Sequence, residues 1–405
     1  MSHCILCQSS PLLSVLDLGF TPLANKFLTK AELANDEASY PLHLGICESC
    51  LHMQLLDAVA PPLMFDDYLY VSSMSETLRQ HLKKLADEAA ARVALSAADL
   101  VVDIGSNDGT LLSWFARFGV RTLGIDPAQN LAALAAKNGI QTLTAYFGEQ
   151  TAERVVAEYG RAKVITATNV FPHIPNLPDF VKGLQRLLAP DGTCFIQAHY
   201  LVDLMEQGAF DTIYHEHVSY WALGPARRLF AEFGMSVVDA ERLPEHHGQL
   251  RLVIQQGTHA PSERMNALLA AEAHLQIPSV EGAKKFAQSV YRIKDEVSRT
   301  ISELRGSGKR IVGYGAPAKG NTLLCFLGIG PDQIEYIADK SPLKQGRYSP
   351  GMHIPVVSPA RLLEDQPDYV LLLAWNFADE VLEQQAEYRK RGGKFIIPLP
   401  HVKIV

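Results

Sequence analysis

The sequence is short of thiols, of charge and of long apolar runs. Only six of its 405 residues are cysteine and 20% are charged. Thirty-seven basic against 44 acidic residues leave a net charge of −7. That balance excludes the cationic surface needed for non-specific binding to nucleic acid or an anionic membrane. A locally basic pocket for a phosphorylated small molecule stays open. No run approaches the ~20 apolar residues of a membrane span; the stretch Tyr369–Trp375 is about one buried strand long. The first residues carry neither the basic start nor the apolar core of a signal peptide, so the expectation is a cytoplasmic protein. What is present in quantity is hydrophobic residue, 47%, enough to bury sizeable cores and to exclude global disorder. At roughly 100–200 residues per domain, the length predicts about three domains.

The few cysteines are not scattered. Cys4 and Cys7 form one C-x-x-C, and Cys47 and Cys50 form another. A reducing compartment keeps thiols free, so paired knuckles point to a tetrathiolate zinc site. Two intervening residues let both sulfurs converge on one tetrahedral ion. Four thiolates close the coordination sphere, which makes the Zn²⁺ structural rather than catalytic. A redox C-x-x-C is the competing reading, disfavoured by the second pair. The 39 residues between the knuckles exceed a compact zinc ribbon and predict a small β-rich module. Cys194 and Cys325 stand in apolar contexts and are expected to be buried.

Helical periodicity runs from about 76 to 94. Leu100 to Gly109 then reads as a short buried strand entering a glycine turn, and Arg121 to Asp126 as a second strand ending in an acid. Strands at 164–167 and 192–198 alternate with helices, the pattern of a doubly wound, mostly parallel sheet. A helical linker spans roughly 262–305. After it the plan restarts: Arg310 to Thr322 is again strand, glycine turn and helix, and Ile334 to Asp339 again a strand ending in an acid. The two halves read as a weak internal repeat.

The first glycine turn, Asp103-Ile104-Gly105-Ser106-Asn107-Asp108-Gly109, lacks both the G-x-G-x-x-G spacing and the phosphate loop. Its pattern suits a ligand with a cationic or amino-acid part near the strand end. S-adenosylmethionine is such a ligand: Asp103 would face its charged portion and Asp126 would accept from the ribose hydroxyls. Asn130 and Phe147 lie where adenine contacts could come, a weaker signal. A tight strand–helix turn without a ligand is the bland alternative.

The densest polar chemistry is Asp211 to Trp221, containing Tyr214-His215-Glu216-His217. In an extended segment Tyr214 and Glu216 face one way, His215 and His217 the other; a turn could bring them together. The i, i+4 histidine pair of H-E-x-x-H metalloproteases is absent. His173 follows the end of the fourth strand, where open α/β sheets place ligand residues.

Taken in order, these motifs resemble the sugar C-methyltransferases that act on nucleotide-linked 4-keto-deoxysugars in antibiotic pathways. The resemblance covers nearly the whole chain. It rests on the knuckles, Asp17-Leu18-Gly19, Pro22-Leu23-Ala24-Asn25, Tyr68 to Ser73 and Gly105 to Gly109. It continues through Asn169 to His173, Tyr214 to His217, Gly313 to Ala316, Lys319-Gly320-Asn321 and Asp339-Lys340 to Gly346. It implies an α/β fold with a zinc-binding module over 1–66. A class I Rossmann-like methyltransferase domain would span 67–260 and a C-terminal Rossmann-like domain 261–405.

The implied reaction is transfer of a methyl group from S-adenosylmethionine to the sugar carbon beside a ketone. Such a carbon acid needs a base and a donor to the enolate oxygen. The resemblance makes His217 the base, with Glu216 orienting or tuning it. It makes Tyr68, His173 and Tyr214 the residues that hold the sugar and stabilise the enolate. Cofactor contacts are implied for Asp103, Gly105, Ser106, Asn107, Asp108, Gly109, Asp126 and Asn169. The nucleotide-sugar, a dTDP-type substrate, would meet Tyr70, His247, Lys319, Asn321, Lys340 and Lys344. No nucleic-acid or membrane partner is expected, and the chain is expected to be a monomer or small homo-oligomer. Three departures stand out. Asp103 replaces a glutamate, His246-His247-Gly248-Gln249 replaces His-Gly-Gly-Ser, and Phe171-Pro172 precede His173. O-methylation, or ligand binding without catalysis, are the competing functions.

Overall fold

The computed structural model describes residues 3–9, 11–66, 68, 70–244 and 248–405. Seventeen strands are found among them. In chain order they are β1 (Leu13–Thr21), β2 (Tyr40–Ile46), β3 (Met53–Leu55), β4 (Leu100–Ile104), β5 (Arg121–Asp126) and β6 (Thr142–Thr144). Then come β7 (Ala162–Thr168), β8 (Leu188–His199), β9 (Ser219–Tyr220), β10 (Met235–Leu243) and β11 (Gln249–Gln256). The last are β12 (Ile311–Tyr314), β13 (Ile337–Ala338), β14 (Val356–Val357), β15 (Tyr369–Leu372), β16 (Lys394–Ile397) and β17 (Lys403–Ile404).

Three sheets result. The first, β1-β2-β3-β9, is antiparallel throughout. Its last strand comes from the H-E-H region, Met53 pairing with Tyr220 and Gln54 with Ser219. The second sheet has the order β10-β11-β8-β7-β4-β5-β6. Strands β8 to β6 are parallel, and β11 and β10 return antiparallel at one edge. The third, β14-β13-β12-β15-β16-β17, is parallel except for β17.

Helices cover the second sheet because their apolar residues recur at helical spacing. In the helix Glu76–Val93, Leu78, His81, Leu82, Leu85, Ala86, Ala89 and Ala90 form the buried stripe. The Ser75 side chain caps its start by accepting from the Leu78 N–H, and Ala94 ends it in a left-handed conformation. The expected helical linker is two helices, Glu263–Leu275 and Val280–Gly306. It is not a free linker. The first helix packs on β10, and the 27-residue second lies on both β1 and the helix Ala318–Leu327. Cys194 is buried as expected, while Cys325 is only half-buried. No helix among the described residues is long and apolar enough to cross a membrane.

In both parallel sheets the chain reverses direction beside the first strand, so a crevice opens at the strands' carboxyl ends. The two crevices face one cavity.

Candidate active site

The four knuckle sulfurs lie within 4.8 Å of one another. Cys4 Sγ is 3.5 Å from Cys50 Sγ, and Cys7 Sγ 3.5 Å from Cys47 Sγ. Ligands of a tetrahedral zinc ion with Zn–S near 2.3 Å stand roughly 3.8 Å apart, so the set fits the metal. Backbone N–H groups of Leu6 and Cys7 aim at Cys4, those of Ser49 and Cys50 at Cys47, and that of His52 at Cys50. Such donors favour thiolates. The second knuckle connects β2 to β3, and β3 carries β9; the metal module is thereby hydrogen-bonded to the segment that follows His217.

The cavity has a volume of about 890 Å³ and is lined by strand ends of the second sheet, by the loops that follow the strands of the third, and by Asn25 of the metal module. On the β4–β5 side, Asp103 lies one residue before the end of β4 and Asp126 ends β5, both almost completely buried. Asp103 accepts from the Thr166 hydroxyl at 2.6 Å, yet burial still pushes its carboxyl up to about 7. A buried carboxyl so destabilised as an anion fits a cationic ligand. Asp126 accepts from the backbone N–H groups of Asn107 (2.8 Å) and Ala128 (2.9 Å), and burial raises it too. Gly105 has φ +67°, and a Cβ there would lie 2.2 Å from Val170 Cγ2; no larger residue lets the backbone pass so close. Asn107 adopts φ 52° without being glycine, a strain repaid by its side chain. Its Oδ1 accepts from the Ser72 N–H at 2.9 Å and its Nδ2 donates to the Tyr70 carbonyl at 3.0 Å.

These bonds fasten a strap across the cofactor crevice. Tyr146 Oη donates to Asp66, Asn130 Nδ2 to the Tyr68 carbonyl, and the Ser73 N–H to Asp108. Asn130 thus holds the strap; Phe147 lines the cavity. Asp108 also caps its own helix through Thr110. Gly109 starts that helix at φ +78°, with Ile140 against it. Ser106 and Asn107 line the cavity; Asp108 and Gly109 support it from behind.

The H-E-H segment turns. The His217 N–H donates to the Tyr214 carbonyl at 2.9 Å, closing a four-residue turn. The Tyr214 and His217 rings therefore meet, centroids 4.1 Å apart. His173 stacks on the same imidazole at 5.2 Å and His199 approaches it at 4.8 Å. His215 points away, its Nε2 3.3 Å from the Pro41 carbonyl and its ring on Tyr40. Burial lowers His217 to about 4 and holds His173 well below its ordinary value.

The expected link from Glu216 to His217 is absent. His217 Nδ1 faces the Thr212 carbonyl at 2.7 Å, which fixes Nδ1 as the protonated nitrogen and leaves the lone pair on Nε2, a nitrogen with no partner among the described residues. Glu216 is instead saturated by Asn25 Nδ2 (2.6 Å) and Tyr68 Oη (2.9 Å). The physical reason is the turn itself, which sends consecutive side chains in opposite directions. Burial raises the Glu216 carboxyl to about 7.

On the third-sheet side, Lys319, Lys340 and Lys344 line the cavity. Lys319 Nζ lies 4.3 Å over the Trp375 ring, whose Nε1 donates to Asp211 at 2.6 Å. Burial lowers Lys319 to about 8. Lys344 Nζ donates to the Ala316 carbonyl at 2.7 Å, and the exposed Lys340 reaches Gln384. Asn169, at φ 59°, lines the cavity with its Oδ1 accepting from Gln249 Nε2 at 2.8 Å. Tyr68 and Tyr70 line it as well. Asn321 does not: it is buried, and its Nδ2 donates to the Ala24 carbonyl at 2.7 Å. Its helix faces the metal module, so it joins two parts of the fold. His247 lies outside the described residues.

Sequence reasoning missed His199, Thr212, Asn25 and Gln249. His199 ends β8 and so carried the same strand-end signal as His173. Asn25 stood in a motif without an assigned role, and its partner is 191 residues away.

Each of the three parts of the chain matches a known family. Residues 4–65 match a zinc binding domain family, residues 70–240 a methyltransferase domain and residues 244–400 a C-methyltransferase C-terminal domain. The C-methyltransferase NovU of Streptomyces niveus is 35% identical over 407 residues, covering 100% of this chain and 97% of that protein. A ubiquinone biosynthesis O-methyltransferase of Xanthomonas campestris pv. campestris (strain B100) is 27% identical over 198 residues, 47% of this chain and 68% of its own. Magnesium protoporphyrin IX methyltransferase from Synechocystis PCC 6803, solved with its methyl donor, aligns with TM-score 0.33 and 15% identity. That alignment covers 44% of this chain and 79% of that one.

Proposed function

The chain belongs to the S-adenosylmethionine-dependent C-methyltransferases, and we propose that its acceptor is the carbon beside the ketone of a nucleotide-diphosphate 4-keto-deoxysugar, with dTDP as the nucleotide. One observation carries this reading. His217, whose Nε2 has no hydrogen-bond partner among the described residues, lines a cavity that also holds the buried acids Asp103 and Asp126 and the lysines Lys319, Lys340 and Lys344. A cationic methyl donor suits the acids and an anionic diphosphate the lysines.

Residues 1–66 serve as the metal module, 67–260 bind the methyl donor and 261–405 hold the nucleotide part. Bound S-adenosylmethionine supplies an electrophilic methyl on a sulfonium, which the crevice at Asp103 and Asp126 would hold, with Gly105, Ser106 and Asn107 lining it. The ketosugar lies over the rings of His173, Tyr214 and His217. His217 Nε2 takes the proton from the carbon beside the ketone, while Thr212 steadies the charge that grows on Nδ1–H. Neutral imidazole is the form burial favours, so the base is available throughout the neutral range. The electron pair left on carbon forms the new C–C bond as the methyl–sulfur bond breaks.

Tyr214 is the enolate donor. Its hydroxyl has no partner among the described residues, whereas the Tyr68 hydroxyl is spent on Glu216. Tyr68 with Glu216 and Asn25 forms the wall that orients the sugar, Asn169 supports it from the β7 end, and Tyr70 guards the entrance. Lys319, Lys344 and Lys340 hold the diphosphate. The test is a screen of nucleotide-linked ketosugars with ¹³C-labelled methyl donor. A carbon-bound methyl in the product supports the reading; a methoxy product, or no transfer to any of them, overturns it.

A further inference from the structure

The third sheet reverses between β12 and β15, and the loops after these two strands touch. Gly315, at φ +82°, lies so near Ala374 that a Cβ would come within 2.6 Å of its methyl group. The turn following β15 is Trp375–Phe377. Trp375 is committed: its ring lies under Lys319 Nζ and its indole N–H reaches Asp211. The next two side chains are not. Asn376 and Phe377 both line the cavity, beside Lys340 and Leu343. Asn376 Oδ1 is shut off from solvent and accepts no hydrogen bond among the described residues. A buried amide oxygen without a donor costs free energy until something supplies one. Phe377 keeps 36% of its surface exposed, and Leu343 beside it 49%, an apolar rim that a flat ring could cover.

We propose that the turn Trp375–Phe377 reads the nucleobase of the substrate: Phe377 stacks on a pyrimidine ring and Asn376 pairs with its imide edge. This rests on the nucleotide reading above and adds the specificity element to it. The geometry fits the class of ligand in order along the chain. Lys319, anchored over Trp375, takes the diphosphate, and the two residues after Trp375 meet the group attached beyond it. An amide offers one acceptor and one donor side by side. Uracil and thymine present the complementary pair, N3–H beside a carbonyl. Asp211, buried with one oxygen on Trp375, keeps the turn and Lys319 in register.

The experiment is calorimetric titration of the zinc-loaded full chain with dTDP, UDP, CDP and inorganic pyrophosphate. It is run on the parent, Asn376→Asp and Phe377→Ala, with S-adenosylhomocysteine affinity as the check on folding. The parent should bind dTDP and UDP about tenfold or more tighter than CDP. Asn376→Asp places a second acceptor against the base carbonyl; it should lose about tenfold for dTDP and UDP while pyrophosphate is unchanged. Phe377→Ala should weaken all three nucleotides alike and leave pyrophosphate alone. Unaltered dTDP affinity in both variants overturns the inference but not the nucleotide reading. Failure of the parent to bind any nucleotide overturns both.

Discussion

The two parallel sheets end in the same clasp and differ in what surrounds it. In the second sheet Asp126 accepts from the loop N–H of Asn107 and from Ala128, two residues on, at 2.8 and 2.9 Å. In the third, Asp339 accepts from the loop N–H of Ala316 and from Ser341, again two residues on, at 2.6 and 2.7 Å. The internal repeat is therefore real at the level of hydrogen bonds. Around the first clasp the loop Asp103–Gly109 brings two further buried acids, Asp103 and Asp108, and no cation. Around the second, the loop Gly313–Lys319 and its neighbours bring three lysines to the cavity. A shared backbone plan fixes where a ligand sits; side-chain charge selects its sign. The net charge of −7 conceals this division, because the lysines of the chamber gather around the second clasp and none lies around the first.

Between the clasps lies the segment that carries His217, and β9 pairs it to the metal module. Cys47→Ser breaks that hold. A structural zinc site is worth on the order of 10 kcal/mol, so the variant should fall well below one zinc per chain and lose soluble protein; full zinc stoichiometry measured by atomic absorption would contradict this. Next in size is His217→Asn, where both clasps serve one base. Turnover should drop about 10²-fold or more while S-adenosylhomocysteine and dTDP still bind. Near-normal turnover removes His217 from the role.

Exchanging the clasps sharpens the contrast. Asp126→Ala should weaken S-adenosylhomocysteine about 10- to 100-fold and leave dTDP within about twofold, and Asp339→Ala the reverse. Equal losses for both ligands in both variants would mean that the acids serve folding alone. The smallest effect is a pH dependence. The Asp103 carboxyl, raised by burial to about 7, binds a proton below that pH, and the proton competes with a cation. Methyl-donor affinity should therefore rise with pH through 7, by at most about tenfold per unit below it. Asp103→Asn should flatten the profile, and an unchanged slope breaks the argument.

Most of the plan is legible in the sequence, because it is written in local patterns. Knuckle spacing, strand–glycine–helix passages and strand-end acids each need only a dozen residues to declare themselves. The contacts that finish the site are not local. Asn25 meets Glu216 across 191 residues, and Asn321 meets Ala24 across 297; no spacing rule announces either. The H-E-H triplet reads as one unit, yet its turn sends Glu216 to Asn25 and Tyr68 and hands His217 to a backbone carbonyl. The pairing of β9 with β3 is equally hidden, since two residues of strand carry no periodicity. The sequence-based placement of Asn321 on the substrate went wrong for the same reason. Its motif is beside Lys319, but two positions along a helix turn it to another face.

The most direct test of the account is proton exchange without methyl transfer. The zinc-loaded enzyme, saturated with S-adenosylhomocysteine and given a dTDP-linked 4-keto-deoxysugar in deuterated water, is followed by proton NMR. The account predicts that the signal of the hydrogen beside the ketone disappears with the parent enzyme and persists with His217→Asn. Equal loss of that signal in both, or its persistence with the parent, would contradict it.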